Sequence, residues 1–372
     1  MLNDRDGFKF DLETQRFIIN RWETEIGKGV REEIIRGIIN SVEIRGILDD
    51  YVLEHPKNLD PYGHPIYPKS EMKEGKFWVL TQDDLRGIQF YNADFSNTNS
   101  LPKKSLSYAR FYNCDLSNTN LERTELSYAT FEKCNLENSI LAVSGGFNTQ
   151  IINSNLTNSC LMQSGFIDCN FSGTDFTGTY FDNTLLKNIE IDSNTIFDSK
   201  LISNWRDKHI SNKQKQELLR SIRIAFSNAE LWDNMDEFLF EEKLANRKYT
   251  LWNNLKNDKS INGLLDWFSS WLIGFFFGYA TKPTRVILTS ISISFIYSVI
   301  YYFSEIPLKN NIEISFVESL YFSLTTFATL GYGDLSFNSI CPIMRLISTT
   351  EAWLGAIFIA IFVVTLSRKV FR

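Results

Sequence analysis

The chain has 372 residues, 44% of them hydrophobic, and a formal net charge of −6. That length exceeds one ordinary domain, and so mild an acidity leaves no basic footprint for nucleic acid. Five cysteines without a CxxC pair exclude a disulfide framework and a zinc site. No nucleophile elbow, phosphate loop or HExxH pattern points to an enzyme.

Residues 1–82 are predicted to form a helical cap and a loop. Met1 to Asn20 carries several charges and no apolar core of signal-peptide type, so this region is expected in the cytoplasm. Glu13 to Tyr51 reads as helical, because Val30, Ile34, Ile35, Ile38, Ile39 and Val42 recur at helical spacing. Pro56, Pro61, Pro65 and Pro68 then mark a loop. His55 and His64 lie in or beside it without the further ligands of a metal site.

Residues 83–201 have a period of five. From Leu101, every fifth residue through Leu106, Phe111, Leu116 and onward to Ile191, Ile196 and Leu201 is apolar, except Gly146. Leu85, Phe90 and Phe95 keep the period one residue out of phase, so an extra residue is expected near Asn99. Two places before each central residue the side chain is usually small, as at Ala109, Cys114, Thr119 and Ser154. Neither a helix nor a flat strand has this period.

The pattern resembles the pentapeptide-repeat family. That resemblance implies a right-handed quadrilateral β-helix with one repeat per face. Coils would lie about 4.8 Å apart, with large residues inside, and neighbour contacts would hold the solenoid. Cys114 and Cys134 would stack on one face and act as small core residues in a reducing compartment. Charges of both signs are mixed along the coil, which fits a scaffold or sensor better than a DNA mimic. A protein or ligand on its outer faces is left open.

The period stops after Leu201. Residues 202–262 are predicted to be a helical linker, with Leu218, Leu219, Ile222 and Phe226 on or near one face. His209 has no ligand companions there.

Residues 263–372 form the predicted membrane unit. An interface helix is expected over 264–280, with Trp267, Trp271 and Tyr279 at headgroup level. Spans are expected over 284–303 and 346–367, each near the roughly 20 residues that cross a bilayer. Lys282, Arg285, Arg368, Lys369 and Arg372 lie on one side, against Lys309 and Arg345 on the other. The positive-inside rule then places both termini in the cytoplasm of a multi-pass inner-membrane protein.

Between the spans, Ser315-Phe316-Val317-Glu318 has the form of a capping box, so a helix is expected over 316–328. It runs into Thr329-Leu330-Gly331-Tyr332-Gly333-Asp334. This hexapeptide, 329–334, resembles the selectivity filter of tetrameric potassium channels, with Leu330 in place of the usual Val.

The resemblance implies an α-helical two-span pore domain in a homotetramer. K+ would be bound by the carbonyls of Thr329, Leu330, Gly331 and Tyr332, with Asp334 at the outer mouth. Gly331 and Gly333 can take the positive φ that such a loop demands. Leu330 and Tyr332 would point away from the ion, with Tyr332 packed on aromatics such as Tyr321 and Phe322. Glu351 and Gly355 are gating candidates. Glu351 is costly in lipid and is expected to face protein or water. Gly355 is either a hinge or a close-packing site against the preceding short helix. No cofactor is expected beyond the permeant ion, and the lipid bilayer is the other partner. The alternative is a membrane-anchored scaffold whose pore is silent or non-selective.

Overall fold

The computed structural model describes residues 12–23, 25–39, 85–96, 106–204, 212–253, 261–304, 315–335 and 342–370. His55, His64, His209 and the four loop prolines lie outside these residues. The described residues fall into two units, Met1–Ala245 and Asn246–Arg372.

In the first unit, helices α1 (Leu12–Asn20) and α2 (Glu25–Ile39) stand ahead of a parallel β-coil. Its short strands are β1 (Gln89–Tyr91), β2 (Arg110–Tyr112), β3 (Thr130–Glu132), β4 (Gly145–Phe147), β5 (Gln150–Ile152), β6 (Gly165–Ile167) and β7 (Leu185–Lys187). One face stacks β1-β2-β3-β5 and another β4-β6-β7. Phe111 pairs with Phe131 and Phe131 with Ile151, a coil of twenty residues. Phe90 pairs with Phe111, so the first coil does hold one extra residue.

The repeat has a backbone cause. Two residues after each central position from Leu106 to Leu186 the chain turns a corner through the left-handed region. Asn113, Asn118, Asn138, Asn148, Asn153 and Asn158 all have φ between 53° and 56°, apart from Asn153 at 51°. Asparagine enters that region at lower cost than most L-residues. At Gly173 and Gly178, also left-handed, an added Cβ would come within 2.1 and 2.2 Å of the amide oxygens of Asn153 and Asn158.

The small positions do more than save space. Thr174 Oγ1 donates to the Ile151 carbonyl at 2.6 Å, Thr179 to Leu156 at 2.7 Å and Ser144 to Leu121 at 2.8 Å. These hydroxyls satisfy carbonyls of the preceding coil that would otherwise be buried unpaired. Cys114 and Cys134 stand in the same role, with each Sγ near a carbonyl of the previous coil, Phe90 and Phe111. Burial pushes the Cys169 thiol up to about 11.

One sequence expectation shifts at the far end. The five-residue period puts Ile196 inside, yet it is 49% exposed. An extra residue in the Asp192–Thr195 turn moves the phase by one. Thr195 takes the small position and donates to the Phe171 carbonyl. Phe197 takes the interior one and stacks on Phe176 at 4.6 Å between centroids.

Helices close both ends of the coil. Arg21 and the indole Nε1 of Trp22 each donate to the Arg86 carbonyl at 2.8 Å, and Trp22, Val30 and Ile34 join the coil's core. Beyond the last strand come α3 (Ser199–Asn204), α4 (Asn212–Asn228) and α5 (Trp232–Asn253). Leu219, Ile222, Phe226 and Phe238 extend the same core. An uncovered terminal coil would offer a free strand edge and apolar interior to solvent. Arg223 Nε and Glu242 Oε2 join α4 to α5 at 2.6 Å.

The second unit holds α6 (Ile261–Phe277), α7 (Pro283–Phe303), α8 (Phe316–Phe327) and α9 (Pro342–Val370). Among the described residues, α7 and α9 are the helices long and apolar enough to cross a membrane. Both extend beyond the expected 284–303 and 346–367, chiefly α9. Helix α6 ends in a left-handed turn, Gly278, Tyr279 and Ala280, with φ of 55°, 54° and 59°. Arg285 donates to the Gly274 carbonyl at 3.0 Å, and Phe277 packs on Phe358 at 4.7 Å.

Candidate functional site: the loop after α8 and its support

The site is built on α8. Ser315 accepts from the Glu318 amide, and the Glu318 carboxylate accepts from the Ser315 amide at 2.9 Å. Two donors that a helix start leaves open are thereby satisfied. At its other end, the Thr329 amide donates to the Thr326 carbonyl and the Leu330 amide to the Thr325 carbonyl, both at 3.0 Å. This is a Schellman closure with Thr329 in the left-handed position, φ 56°. Glycine usually holds that position; a β-branched residue there is strained.

The loop then passes through Gly331 and Gly333, with φ of 57° and 76°. A Cβ at either would meet nothing within 4 Å in the single chain. Backbone conformation, not crowding within the chain, is what calls for glycine at both positions. Leu330 and Tyr332 are 57% and 67% exposed in one chain. Tyr321, expected beside Tyr332, donates its hydroxyl to Asp334 Oδ2 at 2.8 Å. That bond holds the Asp334 carboxyl below its ordinary range. Phe322 meets the Tyr301 ring edge-on at 5.1 Å.

Behind α8 stands Glu351 of α9, fully buried. Tyr301 of α7 donates to its Oε2 at 2.6 Å. Ser323 of α8 is hydrogen-bonded to its Oε1 and lies 2.7 Å from the Ser294 carbonyl of α7. One carboxyl thus joins all three helices. One turn on, Gly355 sits against the Phe327 carbonyl at the end of α8. Helix α9 runs unbroken through that glycine. The sequence marked Glu351 but not Tyr301 or Ser323 as its partners. Helical phase on α7 and α8 was the available signal.

Two apolar helices long enough to cross a bilayer, with a capped half-length helix and a two-glycine loop between them, define a membrane-embedded channel domain. Comparison with known proteins agrees: residues 288–372 match the family described as ion channel. Residues 105–141 and 149–188 match pentapeptide repeats, in eight copies. The chain therefore carries pentapeptide repeats and, over two apolar helices, an ion-channel domain, which makes it a membrane protein. Neither match is to an enzyme family.

Solved structures similar to the chain include pentapeptide-repeat proteins. QnrB1, a plasmid-mediated fluoroquinolone resistance protein, is 19% identical over 28% of this chain and 55% of its own, with a TM-score of 0.27. A protein from the Arabidopsis thaliana thylakoid lumen is 22% identical over 26% of this chain and 66% of its own, with a TM-score of 0.25. Rfr23 from the cyanobacterium Cyanothece 51142 is 29% identical over 32% and 69%, with a TM-score of 0.16. The chain spans little more than half the length of the first of these. No curated protein matches it.

Proposed function

We propose that the protein is a potassium-selective channel that works as a homotetramer. The observation that carries this reading is the positive φ of both Gly331 and Gly333, directly after a capped helix held between two apolar helices. One chain supplies a quarter of a ring of oxygens. Four copies of Thr329, Leu330, Gly331 and Tyr332 would turn their carbonyls to a common axis and replace the water shell of K+. Asp334 would sit at the outer mouth. The α8 C-terminus, pointing toward that axis, adds the negative end of a helix dipole.

Both termini face the cytoplasm of the inner membrane in this reading, because Lys282, Arg285, Arg368 and Lys369 cluster at the α7 start and α9 end. The repeat domain then lies in the cytoplasm and regulates the pore. The test is flux from liposomes loaded with K+ or Na+. K+ efflux should exceed Na+ efflux at least about a hundredfold, the ratio that about 2.7 kcal/mol of selectivity gives. Gly331→Ala should abolish K+ efflux, because an L-residue resists the left-handed backbone. Equal rates for the two ions would refute the reading.

A further inference from the structure

The buried contacts of Glu351 allow its protons to be counted. Ser323 has one hydroxyl hydrogen. Its Oγ touches two oxygens, the Ser294 carbonyl at 2.7 Å and Glu351 Oε1. A backbone carbonyl can only accept. If Ser323 donates to Ser294, the hydrogen between Oγ and Oε1 must come from the carboxyl. If Ser323 turns its hydrogen to Oε1 instead, the short Oγ to Ser294 contact faces lone pair to lone pair. Sharing one hydrogen between both oxygens leaves neither bond straight. The other carboxyl oxygen is already served by Tyr301 at 2.6 Å.

We infer that Glu351 is a neutral carboxylic acid and a positioning residue for the filter. It closes a one-way chain in which Tyr301 donates to Glu351, Glu351 donates to Ser323, and Ser323 donates to the Ser294 carbonyl. Every oxygen in the chain then has one hydrogen directed at it or from it. The surroundings favour this form. Tyr301 and Tyr297 are the ionisable side chains that α7 brings to this region, and Tyr297 pairs with Thr350 at 3.2 Å. The buried polar side chains of α8 are Ser319 and Ser323. Glu318 is held by the Ser315 cap, and Arg345 lies six residues earlier on α9. Among the described residues no Lys, Arg or His pairs with Glu351. A bare carboxylate in such a place would be costly.

The consequence is mechanical. Ser323 sits on α8 two turns before Thr329, so the chain of bonds fixes the helix that carries the filter. Ionising Glu351 would strand one of the two Ser323 contacts and loosen α8 at that point from either α7 or α9.

The test uses the full-length protein in liposomes. Infrared difference spectra of wild type against Glu351→Gln at neutral pH should show the carbonyl band of a protonated carboxylic acid, present only in wild type. Its absence overturns the inference. This arm needs no ion flux, so it stands apart from the channel reading on which the role at the filter rests. In flux, E351Q should stay within about twofold of wild type, because the amide accepts from Tyr301 and donates to Ser323. Glu351→Ala, which removes the acceptor of the Tyr301 hydroxyl and the donor that ties Ser323 to α9, should lose about tenfold or more. In alkaline solution the wild type should lose flux and E351Q should not. An E351Q protein that fails to fold, or that loses flux like E351A, overturns the inference. Wild-type protein without K+ flux would remove the role at the filter and the channel reading together, while the infrared band still decides where the proton sits.

Discussion

Gly355 and Phe327 touch backbone to backbone: a Cβ built on Gly355 would lie 1.8 Å from the Phe327 carbonyl oxygen. No side chain can yield there, because the atom it would strike belongs to the last turn of α8. Gly355→Ala must therefore push α8 away from α9 or tilt it. Overpacking of this kind costs about 1–3 kcal/mol per site. We expect a lowered melting temperature of the protein in detergent and a K+ flux at least about tenfold down. A variant with unchanged melting and flux would show that the contact is slack, and would leave a hinge as the reason for this glycine.

Tyr321 and Asp334 give a prediction in acid. The Tyr321 hydroxyl stabilises the Asp334 carboxylate, so the carboxyl titrates lower with the bond than without it. A lowered pKa means the favourable contact is present at neutral pH and is lost as pH falls through that pKa. Tyr321→Phe should move the acid limb of a flux-against-pH curve upward toward the ordinary aspartate range. An acid limb that does not move would remove Asp334 from the acid response.

The coil's hydroxyl ladder can be probed at Thr174. Its Oγ1 donates to the Ile151 carbonyl at 2.6 Å, and the residue is fully buried. Thr174→Val keeps the shape and leaves that carbonyl unpaired. The expected loss is about 1–3 kcal/mol, read by thermal denaturation of the full chain. Glu132→Gln, on a face open to solvent at an intermediate level, serves as the control and should change little.

Arg223 and Glu242 offer a second measure of the far cap. Their side chains are 22% and 8% exposed and 2.6 Å apart. Removing the carboxylate charge with Glu242→Gln leaves the guanidinium without its counter-charge in a largely enclosed place. Fully buried pairs lose about 3–5 kcal/mol on such a change; partial solvent contact at Arg223 should bring the loss to about 1–2 kcal/mol. Thermal denaturation monitored by β-sheet circular dichroism would report it.

Much of the molecule is legible in its sequence. The five-residue period survives translation into structure because each repeat meets its neighbour at a fixed offset, so local rules repeat. The capping box is local too: Ser315 and Glu318 are three residues apart. The phase slip at Asp192–Thr195 was readable only in retrospect, from Thr195 and Phe197 keeping the small-to-large spacing one residue late. The bond between Tyr321 and Asp334 was missed because a loop's path decides which aromatic it passes, and no period records that path.

Residue type and order alone settled that a coil of stacked repeats precedes two apolar helices with a capped helix and a two-glycine loop between them. These features depend on backbone preference and on spacing along the chain. Folding in three dimensions decided what supports the loop: Tyr301, Ser323 and Glu351 come from three helices, and Gly355 meets the Phe327 carbonyl across a fourth contact. The partners are separated by 50 and 28 residues along the chain. Only helix packing can set their distance, because it fixes which faces meet and at what height.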